Sequence, residues 1–125
     1  MSSNLNNMKT LVAVPCFNEM ENLKECLDSL FDHKLKNNLN FDILVVDDGS
    51  EDMSSEILSD YKKQLSIISS QNNFGLAEVF NSILSYTKKM KYHQLLIYDA
   101  DLQYPVENII DLLSKLSEDG LDIVI

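Results

Sequence analysis

The chain is short of positive charge, of cysteine and of long apolar runs, and each shortage removes a class of function. Ten lysines and arginines face twenty aspartates and glutamates, a formal net charge of −10. Nucleic acid is gripped by cations that neutralise its phosphates, so no nucleic-acid partner is expected. The same balance argues against docking on an anionic membrane surface. The two cysteines, Cys16 and Cys26, are too few for a disulfide scaffold and lack the clustered spacing of a zinc site. No stretch approaches the roughly 20 apolar residues of a membrane span. The opening MSSNLNNMK is polar with one cation, and Leu11–Val14 is far shorter than the apolar core of a secretion signal. A cytoplasmic protein with packed, reduced thiols is the expectation. Internal repeats, low-complexity tracts and linkers are also missing.

What is present is the balance of an ordinary globular domain: 125 residues, 45% hydrophobic and 24% charged, enough for one core. Five short apolar runs, Leu11–Val14, Phe41–Val46, Leu65–Ile68, Leu95–Tyr98 and Leu121–Ile125, alternate with four amphipathic stretches. The runs are continuous and rich in Val, Ile and Leu, which suits parallel strands buried on both faces. The first stretch carries Leu23, Cys26, Leu27, Leu30 and Phe31 at helical spacing, and the second Ile57, Leu58 and Tyr61. The third carries Leu76, Val79, Phe80, Ile83 and Leu84. The fourth runs from Val106 through Ile109, Ile110 and Leu113 to Leu116, with Pro105 placed to start it and Gly120 to end it. The pattern predicts an α/β fold, an open, mostly parallel sheet with helices on both faces. Ligands of such sheets bind beyond the carboxyl ends of the strands. Four polar segments stand there: Pro15–Glu19, Asp47–Ser50, Ser69–Gly75 and Asp99–Gln103.

Each segment admits a plain and a chemical reading. Asp99 and Asp101, one residue apart after a strand, either cap the next helix or hold a hard cation through oxygen, with the Gln103 carbonyl oxygen as a third ligand. Asp47 and Asp48, adjacent before the turn-forming Gly49, repel each other unless one meets a donor such as a ribose hydroxyl or a base N–H. Pro15, Asn18 and Glu19 form a loop before a helix. Asn72-Asn73-Phe74-Gly75 reads as a turn whose backbone N–H groups open a helix.

Taken together and in order, VAVPCFNE at Val12–Glu19, ILVVDDGSED at Ile43–Asp52, NNFG at Asn72–Gly75 and YDADLQYP at Tyr98–Pro105 resemble family 2 glycosyltransferases. These are nucleotide-sugar-dependent enzymes of GT-A fold, whose donor half is Rossmann-like. DADLQ followed by Pro105, with Asn73-Phe74-Gly75 upstream, is most similar to the branch that serves polyprenyl phosphates, the dolichol-phosphate mannosyltransferase-like enzymes. The resemblance implies that Asp99, Asp101 and Gln103 hold Mg²⁺ or Mn²⁺ against the diphosphate. It implies that Asp48, with Asp47, contacts the nucleoside, and that Pro15, Asn18 and Glu19 line the base and ribose pocket, with Gly75 and Asp99 in the nucleotide site. The donor would be UDP- or GDP-linked, the acceptor a polyprenyl phosphate, and the chemistry inverting. The sequence departs from the family at Asn72, Ile83, Tyr92-His93 and Val106.

The resemblance also implies a truncated domain spanning 1–125. Leu121–Ile125 reads as a fifth strand, with the acceptor half absent, the general base beyond Ile125 and copies pairing through that edge. A full-length protein would work at the cytoplasmic face of the membrane. Two other readings share the pattern. One is a non-catalytic nucleotide-sugar binder. The other is a phosphorylation-switched receiver domain, for which Leu11–Glu19 is surplus and Leu102–Ile125 too short to supply the later strands.

Overall fold

The computed structural model describes residues 9–18, 20–49, 54–59, 61, 63–70, 75–98 and 123–124. Five strands form one parallel sheet: β1 (Thr10–Cys16), β2 (Asp42–Asp48), β3 (Ser66–Ser70), β4 (Gln94–Ile97) and β5 (Ile123–Val124). Their order is β3-β2-β1-β4-β5, so β1 is central and the chain winds outward from it in both directions. Among the described residues, three helices lie between them: α1 (Met20–Lys36), α2 (Ser54–Ser59) and α3 (Leu76–Lys89). The fourth amphipathic stretch, Val106–Leu116, lies outside the described residues.

Alternation along the strands assigns the faces, because successive side chains of a strand point to opposite sides. Val12, Val14, Ile43, Val45 and Leu96 pack with Leu23, Cys26, Leu27 and Leu30 of α1 and Leu58 of α2. Leu11, Ala13, Leu44, Val46, Leu95 and Ile97 pack with Val79 and Ile83 of α3 on the other face. Continuous apolar runs are therefore buried twice over, as expected for parallel strands between helices. Cys16 and Cys26 form no disulfide with each other and are buried in the first of these cores.

Three details differ from the sequence reading. The ladders run past the apolar residues, pairing Cys16 with Asp47 and Asp48 with Ser70, so the acidic pair closes β2 and does not follow it. Backbone pairing continues wherever a neighbouring strand supplies partners, whatever the side chain. β3 is half-buried to exposed throughout, because as an edge strand it is covered less completely. In α3, Leu84 falls outside the buried stripe and is exposed.

The amino ends of the strands are laced by polar contacts. The Tyr92 hydroxyl donates to Asp42 (2.7 Å), the Lys9 Nζ donates to the Met90 carbonyl (2.9 Å) and lies 4.4 Å from the Tyr92 ring centroid. Thr10 Oγ1 donates to Gln94 Oε1 within the core (2.7 Å). Burial first, then the hydrogen bond to Asp42, pushes the Tyr92 phenol above its ordinary 10.0. The folded state thus keeps a proton that the unfolded chain releases near that pH. Stability from this pair is complete below pH 10 and falls as pH rises beyond it. Urea melts should show a steeper loss above pH 10 in the wild-type chain than in Tyr92→Phe. Parallel curves would show that the Tyr92–Asp42 contact contributes nothing.

Candidate functional site

The direction of winding reverses at β1, so the crevice of the sheet opens at the carboxyl ends of β1 and β4, with β2 alongside. From β1 come Pro15, half-buried, then Phe17 and Asn18, both exposed, with Asn18 in the left-handed region at φ 52. From β4 comes Tyr98, buried, its N–H donating to the Ala13 carbonyl at 2.9 Å. β2 ends in Asp47 and Asp48, only 4% and 7% exposed. Glu19, Asp99, Asp101 and Gln103 lie outside the described residues, and among the described residues no group of three His, Cys, Asp or Glu could hold a metal.

Strand alternation resolves how two adjacent carboxylates coexist. Asp47 continues the row of Ile43 and Val45 toward α1, and Asp48 the row of Leu44 and Val46 toward α3. On that side Asp48 meets two donors. Ser70 Oγ, its ladder partner across β3, donates to Oδ1 at 3.3 Å, and the Gly75 N–H donates to Oδ2 at 3.1 Å. Gly75 is the N-cap of α3, with φ 91 and ψ 171 and no side-chain cap. Only glycine takes that conformation readily, and it aims the N–H at the carboxylate while its carbonyl accepts from Val79 N at 3.1 Å. A Cβ there would meet nothing within 4 Å, so the demand is set by the backbone and not by crowding. The carboxylate sits at the amino-terminal end of the helix, where the backbone N–H groups point outward.

Of the residues read from the sequence, Pro15, Asn18, Asp47, Asp48 and Gly75 are brought to the carboxyl end of the sheet. Two further residues emerge only from the structure. Phe17 is 41% exposed at the rim of the crevice, and its place between Pro15 and Asn18 at a strand end was the available signal. Ser70 becomes visible only through the β2–β3 register.

Lysine is arranged in the opposite sense. Lys9, Lys34, Lys36, Lys63, Lys88, Lys89 and Lys91 all belong to the helix ends and loops that lead into the amino ends of the strands. Lys24, nearer the crevice on α1, is paired with Asp28 at 2.7 Å, a bond that holds the Asp28 carboxyl below its ordinary value. The open groove beside that pair, lined by Lys24, Glu25, Asp28, Ser29 and Asp32, lies on the outer side of α1 and shares no residue with the strand ends.

Residues 11–125 match the family model described as "Glycosyl transferase family 2". The chain belongs to that family. A dolichol-phosphate mannosyltransferase of Pyrococcus furiosus is 35% identical over 120 residues, covering 94% of this chain and 32% of that protein. S. aureus TarS (residues 1–349), solved in complex with UDP, superposes with a TM-score of 0.68 at 27% identity, over 90% of this chain and 33% of that one. A mannosyltransferase of Pyrobaculum calidifontis, solved in complex with GDP-Man and Mn²⁺, shares the fold with a TM-score of 0.69 at 21% identity, over 86% of this chain and 31% of that one. The chain spans between a third and a half of the length of the curated relatives it matches first. The fold is that of the GT-A glycosyltransferases. Family membership sets the receiver reading aside, and so does the sheet, since a receiver domain has the order 2-1-3-4-5 and here β1 pairs with β2 and β4.

Proposed function

We propose that this chain is the donor-binding part of a glycosyltransferase that takes a UDP- or GDP-linked sugar and passes it, with inversion, to a polyprenyl phosphate. The observation that carries this reading is the carboxyl end of the sheet, where Asp48 is pinned beside Pro15, Phe17 and Asn18. A buried carboxylate fixed by neighbours at the carboxyl end of a strand suits the hydroxyls and N–H groups of a nucleoside. In this reading Pro15, Asn18 and Glu19 line the base and ribose pocket, Phe17 offers the base an apolar wall, and Asp47 and Asp48 receive the nucleoside. The P. furiosus relative supports the polyprenyl acceptor, and the UDP complex of TarS supports the donor class. Among the described residues no helix is long and apolar enough to cross a membrane. Action at the cytoplasmic face of a membrane is part of the proposal.

Charge distribution decides how a diphosphate is accepted. The described lysines, Lys24 apart, gather at the far end of the strands, about 20 Å away at roughly 3.3 Å per residue, beyond two Debye lengths at physiological salt. The donor set of Asp99, Asp101 and Gln103 is all oxygen, which fits Mg²⁺ or Mn²⁺. When bound, such a cation supplies Lewis-acid stabilisation of the departing nucleoside diphosphate. The acceptor oxygen forms its bond to the anomeric carbon as the bond to the diphosphate breaks, and the electron pair leaves with the diphosphate. A phosphate monoester is largely deprotonated at neutral pH, with a second pKa near 6, so its oxygen attacks without help. A general base is needed only for a hydroxyl acceptor.

Titration calorimetry with UDP and GDP, with and without Mn²⁺, tests the reading. Affinity for one of them that depends on the cation is expected; equal affinity without it would overturn the site assignment. A non-catalytic donor binder would give the same titration and differ in showing no sugar transfer once the protein is extended to the length of its relatives.

A further inference from the structure

Asp48 receives two of its hydrogen bonds from residues that the sequence does not connect. Ser70 closes β3 and Gly75 opens α3, yet the Ser70 hydroxyl (3.3 Å) and the Gly75 N–H (3.1 Å) converge on one carboxylate, one on each oxygen. The carboxylate therefore ties the end of β2 to the end of the edge strand and to the entry of α3. It also occupies the positive end of that helix, where a phosphate would otherwise be drawn, and its own negative charge repels one. The part of a ligand that meets Asp48 must then be a neutral donor, such as a ribose hydroxyl or a base N–H, with the phosphates lying elsewhere.

We propose that Ser70 is a positioning residue of the nucleoside subsite: its hydroxyl, acting with the Gly75 N–H, holds the Asp48 carboxylate in the rotamer that receives the nucleoside. The proposal rests on the donor-binding reading above and adds a residue to it. Ser70 touches no substrate. It acts through Asp48 by restricting the carboxylate before binding, so that less ordering is left to occur when the nucleoside arrives. A hydroxyl is what the position requires. Threonine preserves the donor and suits a strand, whereas alanine removes the donor and little else. Ser69, exposed one position earlier on the same edge strand, is the natural control.

Two measurements on the chain separate this role from a merely structural one. The first is the dissociation constant for UDP and for GDP in Mn²⁺. Ser70→Ala should weaken whichever nucleotide binds by about 3- to 10-fold, the net size of one ordinary hydrogen bond, since the lost bond acts only through the placement of Asp48. Ser70→Thr should restore it, and Ser69→Ala should leave it unchanged. The second needs no ligand. The chain has three glycines, so the Gly75 amide is readily assigned by NMR. Its proton should move upfield in Asp48→Asn, as a bond to a carboxylate becomes one to a neutral amide, and by less in Ser70→Ala. Unchanged affinity in Ser70→Ala, or no rescue by Ser70→Thr, overturns the proposal while leaving donor binding intact. An unmoved Gly75 amide in Asp48→Asn overturns the clamp itself. If the wild-type chain binds neither UDP nor GDP, the donor-binding reading falls and the role of Ser70 falls with it, even where the amide reports an intact clamp.

Discussion

Asp101→Ala should lower the affinity for UDP or GDP in Mn²⁺ by about 100-fold or more, to the level that EDTA gives with the wild-type chain. The expectation follows from charge placement. Asp47 and Asp48 are buried at the carboxyl end of the sheet, Asp99 and Asp101 follow β4 in sequence, and the described lysines are gathered at the other end apart from Lys24, which is paired. A diphosphate brought to this cleft without a cation meets carboxylates that repel it. In the proposed site Asp101 is one of two anionic ligands, so removing it would cost the cation and, with it, the neutralisation that admits the phosphates. The variant should melt within a degree or two of the wild-type chain, since the substitution removes no apolar side chain. A loss of affinity accompanied by unfolding would not support the assignment, and unchanged affinity would contradict it.

The second large effect concerns the core. Leu27→Ala should destabilise the chain by about 3 kcal/mol in urea denaturation, and Leu35→Ala by less than about 0.5 kcal/mol. Both are leucines of α1, eight positions apart. Leu27 is fully buried between the helix and β1 and β2, whereas Leu35 is 83% exposed in the last turn. The small-to-negligible cost at Leu35 is the informative control, because the change in helix propensity, which slightly favours alanine, is shared by both positions. A chain of this size has only several kcal/mol of stability, so Leu27→Ala should be close to the limit of folding at 37 °C.

The architecture could be read from residues because it depends on period and punctuation. Leu11–Val14 and Phe41–Val46 are continuous apolar runs, and only a strand covered on both faces wants one. Leu23, Cys26, Leu27 and Leu30 recur at helical spacing, and all four are buried. The edge status of β3 could not be read, since nothing in Leu65–Ile68 says that its second neighbour is missing. Asp47 and Asp48 were legible as a constellation but not as a geometry. Whether adjacent carboxylates share one cavity or face opposite sides depends on whether the strand continues through them, and that is decided by pairing with Cys16 and Ser70. Ser70 was invisible for the same reason. It lies 22 positions from Asp48, and only the parallel register makes them neighbours. Net charge carries no geometry. The value of −10 is a sum over the chain, and the fold separates its parts: the described lysines, Lys24 apart, lie around the amino ends of the strands, while Asp47 and Asp48 lie at the carboxyl end of β2.

The location of the donor site is the central claim, and an amide map tests it most directly. The isotope-labelled chain, titrated with UDP and with GDP in Mg²⁺, should show shifts at Phe17, Asn18, Asp48, Gly49 and Gly75 for whichever nucleotide binds. Lys9, Leu35, Met90 and Lys91, at the opposite end of the strands, should stay still. Shifts gathered at that lysine-bearing end, or none with either nucleotide, would contradict the account.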